Sequence, residues 1–528
     1  VTRARVAFRA LALALAITLA PAAVHAQLAA SNLAIAQVGD VVGAASRDRT
    51  DVYDKLDLAY RQEGFAAGVR FEHDRTSFPG VLGAGAYDQG YDRLTQRWAE
   101  WSDPHASVRV GNFYTILGRG LIHRSFELPG VVYDEAGSRA RYAAARDVDG
   151  VLAQGNAGVF QASAFSGRPS DATIAPLRDP VDSGRYRGTL SGAQLEAHLP
   201  RGVRAGAAWS RFVDTYSDHQ YGSGFASADL LSFTHAGDFA LPVAFEYALA
   251  REGAAQWWQF RRGHEVPHAL YSSAQLLWRE WSLSAEYKDY DQFRLGINDP
   301  PSLVREHSAP LLNRDTHLLD ADGEAGFQLE GTAPVHPWVT LVGNFSRADG
   351  PPGVRYLRFE ERYGELRVAP PHSDAWDATF FADRGFDRFD FIGDRHSAGV
   401  SAQARLPRGL AVHADLERKR SVTAPFRGPA RRIDDRLIQL DVSRAGWGSV
   451  GVTAMRTTDP GELPLDRDYE PTSDHRWFVG FDASAQLSRM HTLSLFVGKR
   501  RGGRACTSGT CYDVPSLDGA ELRWTTRL

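Results

Sequence analysis

Side chains able to do chemistry crowd into two short stretches of this sequence. Arg119, His123, Arg124 and Glu127 share the first, and Arg305, Glu306 and His307 are consecutive in the second. Cations, imidazoles and carboxylates this close can pair, pass a proton, or form a ring of charge that selects among solutes. Gly111, Gly118 and Gly120 punctuate the first stretch and Pro300-Pro301 stiffens the second, so both read as compact loops.

Catalytic patterns are harder to find. No lipase-type Gly-x-Ser-x-Gly elbow is evident, and no helical segment carries a His-Glu-x-x-His metal site. Glu360 and Glu361 are adjacent, which on a strand places them on opposite faces, so they cannot act as a carboxylate pair. The histidines are scattered, and His198 and His413 read as solvated residues. The expectation is a protein without catalytic residues, metal or cofactor. Cys506 and Cys511, the only two cysteines, stand in Cys-Thr-Ser-Gly-Thr-Cys and predict a small structural disulfide if the chain is exported.

Export is what the first residues suggest. Arg3, Arg5 and Arg9 precede an apolar run from Ala10 to Val24, and Val24-His25-Ala26 suits a signal peptidase, so residues 1–26 read as a cleaved signal peptide and 27–528 as one domain. Loss of the three arginines moves the formal charge from −4 to −7. That mild acidity, with no basic stripe, argues against nucleic acid as a partner.

The elements that would position the charged stretches are strands. Trp477, Val479, Phe481, Ala483, Ala485 and Leu487 alternate with Gly480, Asp482, Ser484 and Gln486. Trp281 to Lys288 and Leu410 to Glu417 alternate the same way, one face suited to lipid and the other to water. Short turns join strands in pairs, at Pro200-Arg201-Gly202, Pro407-Arg408-Gly409, Glu63-Gly64, Asp103-Pro104, Gly237-Asp238, Arg279-Glu280, Ala445-Gly446 and Ser488-Arg489. Longer polar segments separate the pairs, among them roughly 114–136, 212–225, 289–320 and 385–395.

Short turns alternating with long loops predict an all-β fold: a transmembrane antiparallel β-barrel of about 22–24 strands, within a range of roughly 18–26, its long loops outside. A mean hydropathy of −0.33 is compatible with this, because half of each strand faces a wet lumen. Trp98, Trp101, Trp278, Trp281 and Trp447 sit near strand ends, as an interfacial girdle requires. Leu522, Trp524, Thr526 and Leu528 alternate with charged or polar residues to the end of the sequence, the kind of strand that barrel-assembly machinery reads. Alternation is first clear near Val52 to Tyr60, which leaves too little chain ahead of it for a plug domain.

The stretch Gly111-Asn112-Phe113-Tyr114-Thr115-Ile116-Leu117-Gly118-Arg119-Gly120-Leu121-Ile122-His123-Arg124-Ser125-Phe126-Glu127, with Tyr133-Asp134 beyond it, resembles the hallmark of a family of large bacterial outer-membrane barrels of uncharacterised function. Asn298 to His307, followed by Leu311-Leu312-Asn313-Arg314, is similar to a second landmark of that family. The resemblance implies location in the bacterial outer membrane, surrounded by its lipid, and brings no activity or substrate. Combined with the alternation, it predicts a passive, porin-like channel for small solutes, or alternatively a non-conducting structural, adhesive or receptor barrel. Arg119, His123, Arg124, Glu127, Arg305, Glu306 and His307 would form the lumen constriction, or else an ion-pair network that plugs the barrel. Gln194, Glu196, Arg204, Asp415 and Glu417 would line the lumen.

Overall fold

A computed structural model describes residues 27–528 apart from 44–48, 76–90, 129–143, 171–187, 231–238, 253–266, 294–300, 302–304, 306, 319–322, 352–353, 355, 424–428, 465–471, 508–509 and 515. The segment 1–26, read above as a signal peptide, and the turn at Gly237-Asp238 therefore lie outside the described residues.

The chain forms a closed antiparallel barrel of 24 strands, with Phe239–Ala240 and Pro242–Glu252 counted as one strand interrupted at Leu241. Gln27–Asp40 closes it, pairing with Arg49–Gln62 on one side and with Leu517–Arg527 on the other. The barrel thus begins earlier than the alternation near Val52 suggests. Alanines on both faces of Gln27–Asp40 blunt the contrast on which period-two reading depends.

Side-chain direction follows the alternation. Trp477, Val479 and Phe481 are exposed on the outer face, whereas Phe478 is buried on the inner one. Leu195, Trp209, Leu283, Phe380, Leu416, Ile438 and Val452 extend this apolar outer surface around the wall. Trp278 and Trp281 flank a two-residue turn and stack at 6.3 Å, as a girdle would have them. Trp98 does not join it. It stands three positions before the outward Trp101, so a period of two turns Trp98 to the lumen, where Arg109 lies 4.0 Å over its ring.

Tight turns occupy one end of the barrel. Pro200-Arg201-Gly202 and Pro407-Arg408-Gly409 share one conformation, with φ of 65° and 67° at the arginines and 73° at both glycines. Proline fixes the entry, and glycine accepts the left-handed exit at little cost. The other end carries the longer connections, with exceptions. Residues 214–217 form a tight turn before the strand Asp218–Asp229, and strands reach Asp387 and resume at Ile392, so the segments read as loops at 212–225 and 385–395 are mostly strand. Their polar residues face the lumen or the rim, where a strand needs no apolar side chain.

Inner-facing residues differ between the two ends. Along Leu410–Thr423, His413 and Asp415 are partly exposed, while Glu417, Lys419 and Ser421 toward the loop end are buried. Gln37, Glu72, Ser210, Glu246, Asn344, Glu361, Asp435 and Glu521 show the same burial around the wall. The turn-side half of the lumen is wet. The loop-side half is filled by chain that folds inward.

Candidate functional site

Two inward-folded connections create that filling, and they contain the two charged stretches. The first follows Ala106–Phe113. Its backbone closes on itself, with Ser125 N–H donating to the Thr115 carbonyl at 2.9 Å and Thr115 N–H donating to Ser125 Oγ at 2.7 Å. Gly118 and Gly120, at φ of 59° and 99°, make the turn that a side chain would resist.

The wall holds this turn from both chemical sides. Gln194 Oε1 accepts from Gly118 N–H at 2.7 Å, and Glu246 Oε2 accepts from Arg119 N–H at 2.6 Å. Ser210 Oγ donates to the Ile122 carbonyl at 3.3 Å. Leu117, Leu121 and Ile122 join Phe165, Leu190, Phe212 and Phe225 in one buried apolar cluster. Burying three such side chains contributes on the order of 1.5–3 kcal/mol each, enough to hold a loop of this size in place.

The four charged residues of the first stretch take different roles. Glu127 accepts from Arg70 at 2.7 Å and from the Tyr114 hydroxyl at 2.9 Å. Burial would raise its pKa, but Arg70 and Tyr114 outweigh it and hold the carboxyl below its usual range. His123 is fully buried with its ring 4.8 Å from that of Phe165. Burial, helped by the positive charge of Arg146, pushes its pKa down to about 3, so it is neutral. Arg124 lies 5.1 Å over the Phe126 ring. Arg119 is exposed at the tip of the turn, and no ion pair among the described residues holds its guanidinium.

The second connection follows Trp281–Asp291 and lies along the opposite wall. Arg305 pairs with Glu330 and with Glu365, the latter at 3.5 Å, and stands 4.6 Å over the Tyr363 ring. His307 Nε2 meets Glu361 at 2.9 Å. Glu361 also accepts from Arg395, which Asp383 braces at 2.9 Å and which donates to the Asp315 carbonyl at 3.0 Å. Lys419 bridges Asp315 at 2.9 Å and Asp435 at 3.4 Å. A one-turn helix, Pro310–Asn313, buries Leu311 against Leu437, Met455 and Phe478, and Glu417 accepts the Leu311 N–H at 3.0 Å. Farther on, His317 sits between Glu324 at 3.2 Å and Asp387 at 2.7 Å. Glu306 lies outside the described residues.

The two connections contribute to one apolar cluster. Phe293 at the start of the second joins the cluster that holds Leu117 and Leu121, with its ring 5.6 Å from Tyr221. Arg119 and Arg305 dock on different wall sectors, so the sequence-predicted residues line one compartment without forming a single bonded cluster. Gln194 and Glu417, expected to line the lumen, are inner-facing and hold the connections in place. Glu196 pairs with His198 at 2.9 Å and reaches Arg204 at 4.0 Å, and Asp415 meets His413 at 3.4 Å.

Sequence reading missed Glu246, Arg395 and Asp315. A signal existed for Glu246: Phe245 and Tyr247 face outward, leaving a lone carboxylate on an inner face that otherwise carries Ala244 and Ala248. His264-Glu265-Val266-Pro267-His268 has the letters of a metal motif. Pro267 precludes the helix that motif needs, and His268 opens the strand His268–Trp278. Among the described residues no group of three His, Cys, Asp or Glu is placed to hold a metal ion. The hairpin Gly503–Thr507 and Thr510–Val514 sets Cys506 directly opposite Cys511 in backbone register.

Comparison with known proteins places residues 25–156, which include the first charged stretch, in a match to a family of unknown function, DUF6029. No curated protein matches the chain. Among solved structures, the outer membrane protein OpdK from Pseudomonas aeruginosa is similar at 11% identity over 74% of this chain and 99% of that one, with a TM-score of 0.40. The translocation pore of the P pilus usher PapC is similar at 10% identity over 95% and 99%, with a TM-score of 0.45. The siderophore receptor PirA from Pseudomonas aeruginosa is similar at 11% identity over 95% and 80%, with a TM-score of 0.39.

Proposed function

We propose that this chain is a channel of the bacterial outer membrane that passes small polar solutes, exported through the signal peptide and inserted by barrel-assembly machinery. The carrying observation is the division of the lumen: a wet, polar half at the turn end leads to a half narrowed by two docked connections, with the Arg119 guanidinium exposed at the narrowing. An exposed cation without an ion-pair partner at a narrow point favours anions, because the low-dielectric wall focuses its field. Single-channel conductance in planar bilayers tests this. Anion preference is expected, and it should fall in R119Q; unchanged selectivity in R119Q/R124Q contradicts the proposal.

The burial of inner-facing residues on every wall sector favours a second reading, a sealed barrel acting through its outer loops. Swelling of protein-loaded liposomes in sugars separates the two: swelling supports the channel, and its absence supports the sealed barrel.

A further inference from the structure

The outer wall between Arg358–Val368 and Arg476–Gln486 carries charge in a pattern that the barrel itself does not need. Across this sector the register lines up Leu366, Phe380, Val400, Leu416, Ile438, Ala454 and Val479 as one apolar row. The next outward-facing row toward the loops reads Gly364, Ala382, Ala398, Arg418, Arg436, Arg456 and Trp477, and the one beyond it Arg362, Arg384, His396, Arg420 and Asp434. Apolar surface thus gives way to three arginines in the first row and three more in the second, six within two residue pairs.

Carboxylates on the same face are too few to neutralise them. Glu360 meets Arg362 at 2.8 Å, and Asp394 lies 3.9 Å from Arg384 and 3.0 Å from His396. Asp434 alone serves Arg418, Arg420 and Arg436, at 2.5, 3.2 and 2.8 Å. Arg362 and Arg384 remain two-thirds exposed. Three arginines converging on one carboxylate leave a preassembled surplus of positive charge, with planar donors suited to phosphate.

We propose that this band is a binding site for the phosphorylated headgroup of the outer-leaflet glycolipid, lipopolysaccharide, whose acyl chains lie on the apolar rows beneath. The assignment rests on the reading above that the long-loop end faces outward, since that end sets which leaflet the band meets. Depth chooses the ligand. The arginines begin where the apolar belt stops, which is where the phosphates of a membrane amphiphile lie, and a soluble anion would have no use for the belt.

Binding of lipid A by the purified full chain in detergent, read by native mass spectrometry, tests the proposal without requiring conduction. Bisphosphorylated lipid A is expected to stay bound, and the dephosphorylated form and phosphatidylglycerol to bind at least about tenfold more weakly. R384Q/R420Q/R436Q should lose binding to a similar extent, and the corresponding lysine variant should keep more of it. Heat-modifiable migration of each variant checks folding, and if the triple variant does not fold, the comparison of lipids on the unaltered protein decides. Equal binding of dephosphorylated lipid A or of phosphatidylglycerol, or full binding by a folded triple variant, overturns it. Failure of conductance with lipid binding intact would sink the channel and leave this site standing.

Discussion

The Glu246 carboxylate receives the backbone N–H of Arg119 at 2.6 Å, so a wall strand and the tip of an inward-folded loop share one hydrogen bond inside the barrel. Its second, longer bond from Leu121 N–H at 3.4 Å makes the carboxylate a clamp on the turn and fixes where the Arg119 side chain projects.

Breaking that clamp should free the loop and leave the barrel intact. Glu246→Ala strands two buried N–H groups, and Leu121→Ala removes roughly 2–5 kcal/mol of packing from the same docking. Gly118→Ala adds a Cβ against Glu246 at a φ of 59° that alanine resists. Each variant should keep heat-modifiable migration while the segment around Arg119 becomes protease-sensitive and conductance rises. A variant that digests like the parent would show that the loop is held by something else.

The second connection depends on ion pairs more than on packing. Removing Arg395 leaves Glu361 and Asp383 buried without their shared cation, so Arg395→Met should destabilise it by about 3–5 kcal/mol. The double change Arg395→Met with Glu361→Gln should recover part of that loss. Thermal unfolding of the three proteins checks the ordering, and an additive double variant would contradict the coupling.

The two histidines predict opposite responses to pH. For His317, burial lowers the pKa but Glu324 and Asp387 outweigh it and raise it from 6.5 to about 9. The stability it contributes is therefore full below 6.5 and is lost as pH rises through about 9. His123, lowered to about 3, favours its neutral form, so its contribution is present above 6.5 and fades as pH falls toward 3. Hydrogen exchange should show the amides around 307–318 loosening in alkali and those around 117–124 loosening in acid. His317→Gln should remove the alkaline response alone.

Cys506 and Cys511 are partners in the backbone register of a hairpin, and the sequence predicts a disulfide between them. We expect no alkylation of the untreated protein and two labelled thiols after reduction, with little change in barrel stability because the closed loop is small. Alkylation without reduction would show the pair to be thiols.

Much of this architecture was legible because lipid and water impose opposite demands on alternate residues. Trp477 to Leu487 announce their strand, and the two Pro-Arg-Gly turns announce theirs. Gln27–Asp40 was obscured by small residues on both faces, and Asp218–Asp229 by polar ones. The inward folding of both charged stretches was legible from glycine, proline and charge together. Their anchors were not, because Glu246, Arg395 and Asp315 come from distant strands and loops whose neighbours in space no local pattern encodes. Trp98 shows the converse: its type suggested a girdle, and its parity relative to Trp101 turns it inward.

Ion selectivity of the single channel, compared between the parent and R119Q, tests the central claim most directly. We expect a measurable channel that prefers anions and loses that preference when Arg119 is neutralised. A barrel that inserts, migrates as folded and passes no current, or a channel indifferent to residue 119, would contradict it.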